Sequence, residues 1–260
     1  MARRWTTQEE HVKYQELLEL YVRQNKTLAE VAHLLHIGQS TVYQRLVRLR
    51  IPVVPAKKAT YAARRRNDIR IPKNYSASLA EFFGIMLGDG KLSYYQVVVT
   101  LGIKEPAYAT YVCDLMEMIF HVRPKIALRS NGYRDVYLGS REVSEWLRAE
   151  GLVYNKVLSQ VGVPAWIFTD KEFMRRFLRG FFDTDGSVYR LRFGIQISLT
   201  NKSLPLLRAS RRALKKLQYR VSRISKIRLY VTKRDDVLRF FEEIKPANLK
   251  HRQRFAAFVR

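Results

Sequence analysis

Phe82-Phe83-Gly84-Ile85-Met86-Leu87-Gly88-Asp89-Gly90 and Leu178-Arg179-Gly180-Phe181-Phe182-Asp183-Thr184-Asp185-Gly186 are two versions of one nonapeptide. Each is an apolar helical run with glycine in third place, and each ends in an acid followed by a glycine. The acids lie 185 − 89 = 96 residues apart. Other pairs keep step. Tyr137 matches Tyr230 (230 − 137 = 93), and Lys156 in Tyr154-Asn155-Lys156 matches Lys250 in Asn248-Leu249-Lys250 (250 − 156 = 94). Agreement at several places marks a duplication that sets one carboxylate in each copy.

A glycine inside a helix costs about 1 kcal/mol relative to alanine. Gly84 and Gly180 therefore need a reason, and close helix–helix approach supplies one. Gly88 and Thr184 extend the same narrow face. Packing along it sets Asp89 and Asp185 side by side at the helix C-termini, where each meets the other's charge and two negative dipole ends. A divalent cation relieves that cluster. Mg²⁺ is commonly held by one or two carboxylates, waters and phosphate oxygens. For a single copy, Asp-Gly would read as an ordinary turn pair.

The rest of the composition says what such a pair would act on. The chain has 260 residues, 47% of them hydrophobic, with a net charge of +25 and a pI near 10.4. So apolar a chain is folded and not a disordered tail, which puts the positive charge on folded surface. That favours nucleic acid, whose phosphates release counterions when neutralised. A ribosome-associated protein or an anionic-membrane binder are the plainer alternatives. The single cysteine, Cys113, excludes an intrachain disulfide and a cysteine-based zinc site. It suggests a reducing, intracellular setting: cytoplasm or nucleoid, or an organelle in a eukaryote. No secretory signal or bilayer-spanning run is evident, so no membrane partner is expected.

Residues 1–54 read as a helix-turn-helix domain. A first helix covers 6–24, capped by Thr6 or Thr7, with Val12, Leu17, Leu18, Leu20 and Tyr21 on its apolar face. Thr27-Leu28-Ala29-Glu30 forms a capping box that opens a second helix, with Leu28, Val31, Ala32 and Leu35 inward. Ile37-Gly38-Gln39 turns into a third, with Val42, Leu46 and Leu49 inward, and Pro52 stops it. Gln39, Ser40, Thr41, Tyr43, Gln44, Arg45 and Arg48 face outward and are able to reach bases or phosphates. Any three-helix bundle is the alternative. Residues 55–73 form a basic, proline-containing linker (Pro55, Lys57, Lys58, Arg64, Arg65, Arg66, Arg70, Pro72).

Residues 74–165 and 166–260 are the two copies, each reading αββαββα. Val97, Val99 and Leu101 alternate with Gln96, Val98 and Thr100. In copy two, Ile195, Ile197 and Leu199 alternate with Gln196, Ser198 and Thr200. Period two with one polar face predicts antiparallel sheets open on one side. The open-side positions, with Arg123, Lys125 and Arg129 on a later strand of copy one and Arg190, Arg192, Arg228 and Tyr230 in copy two, are the candidate DNA contacts. Alternation places them on a surface without deciding between base and phosphate.

On the paired motifs and late lysines, residues 75–260 resemble the LAGLIDADG homing endonucleases in their single-chain, two-motif form. The resemblance implies an α+β fold, a pseudo-twofold saddle of antiparallel sheet over a long target site in double-stranded DNA. It implies a monomer that hydrolyses one phosphodiester per strand across the minor groove with Mg²⁺ or Mn²⁺, leaving short 3′ overhangs, as in intron homing. The metal-binding acids map onto Asp89 and Asp185, with the carbonyls of Gly88 and Thr184 nearby. Lys250, in Leu249-Lys250-His251-Arg252-Gln253, and Lys156 map onto the lysines that organise solvent and stabilise phosphate charge. Asn201 takes the place of a water-positioning polar residue, and Ile103 occupies the matching place in copy one, which implies unequal half-sites. The sixth motif position, Asp183 in one copy and Leu87 in the other, is not assigned to metal.

Two other functions fit the resemblance. Some transcription regulators join a degenerate LAGLIDADG domain to a helix-turn-helix, and some relatives are intron maturases that bind RNA. Retention of both acids and of Lys250 argues against the regulator, while the sequence leaves a maturase role open.

Overall fold

The computed structural model describes residues 6–24, 26–51, 53 and 69–259. The chain divides into two compact units, Met1–Asn67 and Asp68–Arg260. Most of the basic linker, from Pro55 to Arg66, and Pro52 before it, lie outside the described residues.

The first unit is a three-helix cluster. α1 (Thr7–Leu17) passes into a π-helical stretch, Leu18–Arg23, and is followed by α2 (Leu28–Leu34) and α3 (Gln39–Arg48). Capping boxes Thr6–Glu9 and Thr27–Glu30 satisfy the free N–H groups that open α1 and α2. Leu17, Tyr21, Val31, Ala32, Val42, Leu46 and Ile51 form the core. Val12, expected inward, is 63% exposed. It sits on α1 away from that core, to which Leu17 and Tyr21 contribute instead.

In the second unit, copy one runs α4 (Ala77–Leu87), β1 (Gly90–Leu92), β2 (Gln96–Leu101), α5 (Pro106–Phe120), β3 (Lys125–Leu128), β4 (Arg134–Gly139) and α6 (Arg141–Ala149). Copy two runs α7 (Lys171–Asp185), β5 (Gly186–Leu191), β6 (Gly194–Thr200), α8 (Leu204–Lys216), β7 (Arg228–Val231), α9 (Arg234–Glu243) and α10 (Leu249–Val259). Both sheets are antiparallel, ordered β1-β2-β4-β3 and β5-β6-β7. The α+β class and the αββαββα order hold for copy one. Among the described residues, copy two lacks the expected fourth strand. Ser222 N–H donates to the Tyr230 carbonyl at 2.9 Å, but the Ser222 hydroxyl accepts the Tyr230 N–H at 3.0 Å, so a side chain takes the place of the return backbone bond.

Matching registers preserve the duplication. Val98 lies opposite Tyr137, and Ser198 lies opposite Tyr230. One apolar core runs through both copies, from Leu79 and Phe82 of α4 to Phe181, Leu214 and Phe240. Among the described residues, no helix is long and apolar enough to cross a membrane.

Candidate active site

α4 and α7 cross in backbone contact, and the glycines are the reason. A Cβ on Gly84 would fall 2.7 Å from Phe181 N and closer still to the Phe177 carbonyl. A Cβ on Gly180 would fall 2.9 Å from Ile85 N and closer to the Glu81 carbonyl. The contacts are reciprocal: 177 − 81 = 96 and 181 − 85 = 96, the period of the duplication. A Cβ on Gly88 would lie 2.8 Å from Thr184 Cβ and 3.4 Å from Asp185 Oδ1, so the interface runs up to the second acid. The two helices end differently. α7 continues through Asp185, whereas α4 stops at Leu87, and Gly88 (φ −81°, ψ −98°) turns the chain so that Asp89 lies beyond the helix.

Asp185 is half-buried, and Asp89, although exposed, has enough protein packed around its carboxyl to shift with it. Burial pushes the Asp185 carboxyl up to about 6, helped by the charge of Asp89 and opposed by the Asn201 hydrogen bond and by Lys156. Burial raises Asp89 as well, with Glu105 adding to the shift and Lys156 and Lys250 opposing it. Asn201 Nδ2 donates to Asp185 Oδ2 at 2.6 Å, and Asn201 Oδ1 accepts from Ser203 N at 2.7 Å, which fixes the amide. Lys156 Nζ donates to the Met86 carbonyl at 3.0 Å and to the Gly88 carbonyl. Burial lowers the pKa of Lys156 against the pull of Asp185 and Asp89. Lys250 Nζ donates to Glu105 Oε1 at 2.8 Å. In Thr184, the hydroxyl donates to the Gly180 and Phe181 carbonyls, each at 3.1 Å.

Ile103 stands two residues before Glu105, the N-cap of α5, as Asn201 stands two residues before Ser203, the N-cap of α8. Ile103 is 54% exposed, and its carbonyl accepts from Arg134. The residue near Asp89 is Glu105, which was not anticipated. Asp183 is also placed. Its carboxylate, 1% exposed, accepts the N–H groups of Ala247 at 2.8 Å and Asn248 at 3.1 Å, which accords with leaving it out of the metal set.

The sheet positions divide. Gln96, Thr100, Gln196, Thr200 and Tyr230 are half-buried, while Lys125, Arg129, Arg190, Arg192 and Arg228 are exposed. Val98 and Ser198, expected on the open face, are buried beneath their neighbours, at 9% and 2% exposure. Tyr137 lies beside Val98, and Ser198 Oγ lies 3.5 Å from the Tyr189 hydroxyl. Arg123 is not on the sheet face. It precedes β3 and pairs with Asp114 and Glu117 of α5, because its guanidinium reaches the helix layer behind the sheet. β3 is an edge strand, and its Ile126 and Leu128 are exposed. In the first unit Gln39, Ser40, Tyr43, Gln44 and Arg48 are exposed, Thr41 and Arg45 are half-buried, and Arg48 pairs with Glu10 at 2.9 Å.

Residues 172–245 match the family model described as a LAGLIDADG-like domain. Among solved structures, mesophilic variants of the homing endonuclease I-DmoI are 16% identical, covering 65% of this chain and 94% of that one at a TM-score of 0.48. The N-terminal LAGLIDADG domain of DUF199/WhiA is 20% identical, covering 67% and 86% at a TM-score of 0.46. I-DmoI in complex with DNA and Ca is 16% identical, covering 65% and 88% at 0.45. No curated protein matches the chain. The LAGLIDADG-like segment holds Asp185 and Asn201, while Asp89, Lys156 and Lys250 lie outside the matched residues.

The donor set bears on a cation. Two carboxylates and a neighbouring carbonyl are too few to enclose a metal, and among the described residues no cluster of three or more His, Cys, Asp or Glu could do so. Such a set suits a hard cation that keeps waters and takes substrate oxygens.

Proposed function

We propose that the chain is a metal-dependent, site-specific endonuclease that hydrolyses one phosphodiester on each strand of duplex DNA. One observation carries the reading: a helix crossing that only glycine at 84 and 180 permits brings a half-buried carboxylate, Asp185, and an exposed one, Asp89, close enough for their charges to interact. Protein packing alone gives no return for that repulsion, whereas Mg²⁺ or Mn²⁺ between Asp89 and Asp185 does. Bound there, the cation would supply activation of water and neutralisation of phosphate charge. The carbonyls of Gly88, which here accepts from Lys156, and of Thr184 would be the neighbouring main-chain donors to it. Asp185 is held in orientation by Asn201. Lys156 and Lys250 bring positive charge to the acids, where a scissile phosphate would need it. The exposed cations and half-buried amides of the open sheet face would hold the duplex, and the chain acts as a monomer because it carries both half-sites.

The first unit would be a helix-turn-helix that lays α3 against the same duplex. Deleting residues 1–72 then shortens a nuclease footprint at one end only. A footprint of unchanged length removes that role.

The activity is tested by incubating the protein with a library of plasmid DNA in Mg²⁺ or Mn²⁺. Sequence-specific double-strand cuts that vanish in Asp89→Asn and Asp185→Asn support the reading. Tight binding without cleavage by the unmodified chain replaces it with a DNA-binding regulator on the same fold.

A further inference from the structure

The two late lysines occupy equivalent places in the duplication, yet they are held in unlike ways. Lys156 rests on main-chain carbonyls of its own motif. Lys250 is held by side chains from both copies. Its ammonium donates to Glu105 of copy one, and its N–H donates to Asn248 Oδ1 at 3.1 Å. Asn248, 2% exposed, joins the two: its Nδ2 donates to Glu105 Oε1 at 2.7 Å and to the Asp183 carbonyl at 3.2 Å. Asp183 completes the clamp by accepting the N–H groups of Ala247 and Asn248. Glu105 is itself fixed, because its second oxygen accepts the Gly102 N–H at 2.9 Å.

Copy one has no such device. Leu87 stands where Asp183 does, and Tyr154 stands where Asn248 does (248 − 154 = 94, the spacing of the lysines). Neither can make these bonds. Buried carboxylates and amides persist when every partner is supplied, and a fully satisfied network holds its members in one arrangement.

We infer that Asp183 and Glu105 are positioning residues for Lys250, acting through Asn248, and that the half-site containing Lys250 is pre-set by this clamp while the half-site containing Lys156 is not. The inference rests on the endonuclease reading for its kinetic consequence and on the contacts alone for its structural one. Both are tested with the full chain.

In single-turnover cleavage of a target plasmid, Glu105→Gln keeps the acceptor for Asn248 and removes the charge that faces Lys250. It should slow one strand by about 10- to 100-fold, leave the other within about twofold, and so accumulate nicked circles. Glu105→Gln combined with Lys250→Ala should be no slower than Lys250→Ala alone, as expected when one residue acts through another. Equal slowing of both strands, or losses that multiply in the double variant, overturns the positioning role.

If the unmodified chain makes no cut, the endonuclease reading fails, and the clamp is still tested by trace acetylation read by mass spectrometry. Lys250 should label severalfold faster in Glu105→Gln and in Asp183→Asn, with Lys156 unchanged. Unchanged labelling of Lys250 in Glu105→Gln, whose half-buried side chain is not part of the core, overturns the clamp.

Discussion

The two copies agree closely where backbone meets backbone and diverge where side chain meets side chain. Gly84 and Gly180 make the same contacts 96 residues apart. A few residues later the symmetry lapses: α4 ends at Leu87 whereas α7 runs through Asp185, Asp185 is held by Asn201, and Glu105 turns instead to Asn248 and Lys250. The difference has a physical source. Close helix packing permits one solution at the crossing, because any Cβ there meets backbone that cannot move aside. A carboxylate needs only some polar neighbour, and several residue types satisfy it, so the surroundings of the acids are free to drift apart.

The largest expected effect breaks the shared part. Gly84→Val or Gly180→Val drives carbons into backbone and should cost about 3–5 kcal/mol or prevent folding, by similar amounts in the two copies. Urea denaturation measures it. A tolerated valine at either position would mean that the helices do not meet as described.

The next effect bears on the acids. Asp89→Asn and Asp185→Asn should each abolish cutting of both strands or leave only nicks, and Asp185→Asn should also stabilise the metal-free chain at pH 8 by about 1–3 kcal/mol through loss of a half-buried charge near Asp89. Denaturation with EDTA present checks the gain. The pH dependence has the same origin. A carboxyl whose folded pKa, about 6 for Asp185, lies above its ordinary value of 3.8 favours the folded chain at low pH. That contribution is complete below about pH 4 and is lost as the pH rises through about 6. Denaturation of the metal-free protein from pH 4 to pH 8 should show the decline in this window, absent in Asp185→Asn and restored by Mg²⁺.

Making copy one resemble copy two should fail. Leu87→Asp puts a carboxylate in a buried position where no Ala247-like and Asn248-like N–H pair has been built, and should cost about 2–4 kcal/mol. A thermal melt reads it. The smallest effect is at Ile103, which is mostly exposed. Ile103→Ala should change stability by less than about 0.5 kcal/mol and leave the cleavage rate unaltered. A marked loss of cleavage would give Ile103 a part in the site.

The close helix pair and the antiparallel sheets were legible in the sequence because glycine spacing and period-two alternation are local patterns. What was not legible depends on contacts between distant segments. Asp183 looks like an ordinary variation of the motif until the N–H groups of Ala247 and Asn248, 64 and 65 residues away, are seen to meet it. Alternation placed Val98 and Ser198 on the open face but could not show that Tyr137, Tyr189 and Tyr230 surround them. Arg123 read as a strand residue because its neighbours alternate, and only the fold reveals Asp114 and Glu117 behind it. Ile103 was matched by position in the loop, whereas Glu105 reaches the site by the direction of its side chain.

The central claim is that Asp89 and Asp185 form one cation site built by the helix interface. Titration of the DNA-free protein with Mn²⁺, followed by electron paramagnetic resonance, tests it directly. Binding in the unmodified chain that is lost in Asp89→Asn and equally in Asp185→Asn is the predicted result. Binding that survives either substitution unchanged, or an unmodified chain that takes up no Mn²⁺ even with duplex DNA added, would contradict it.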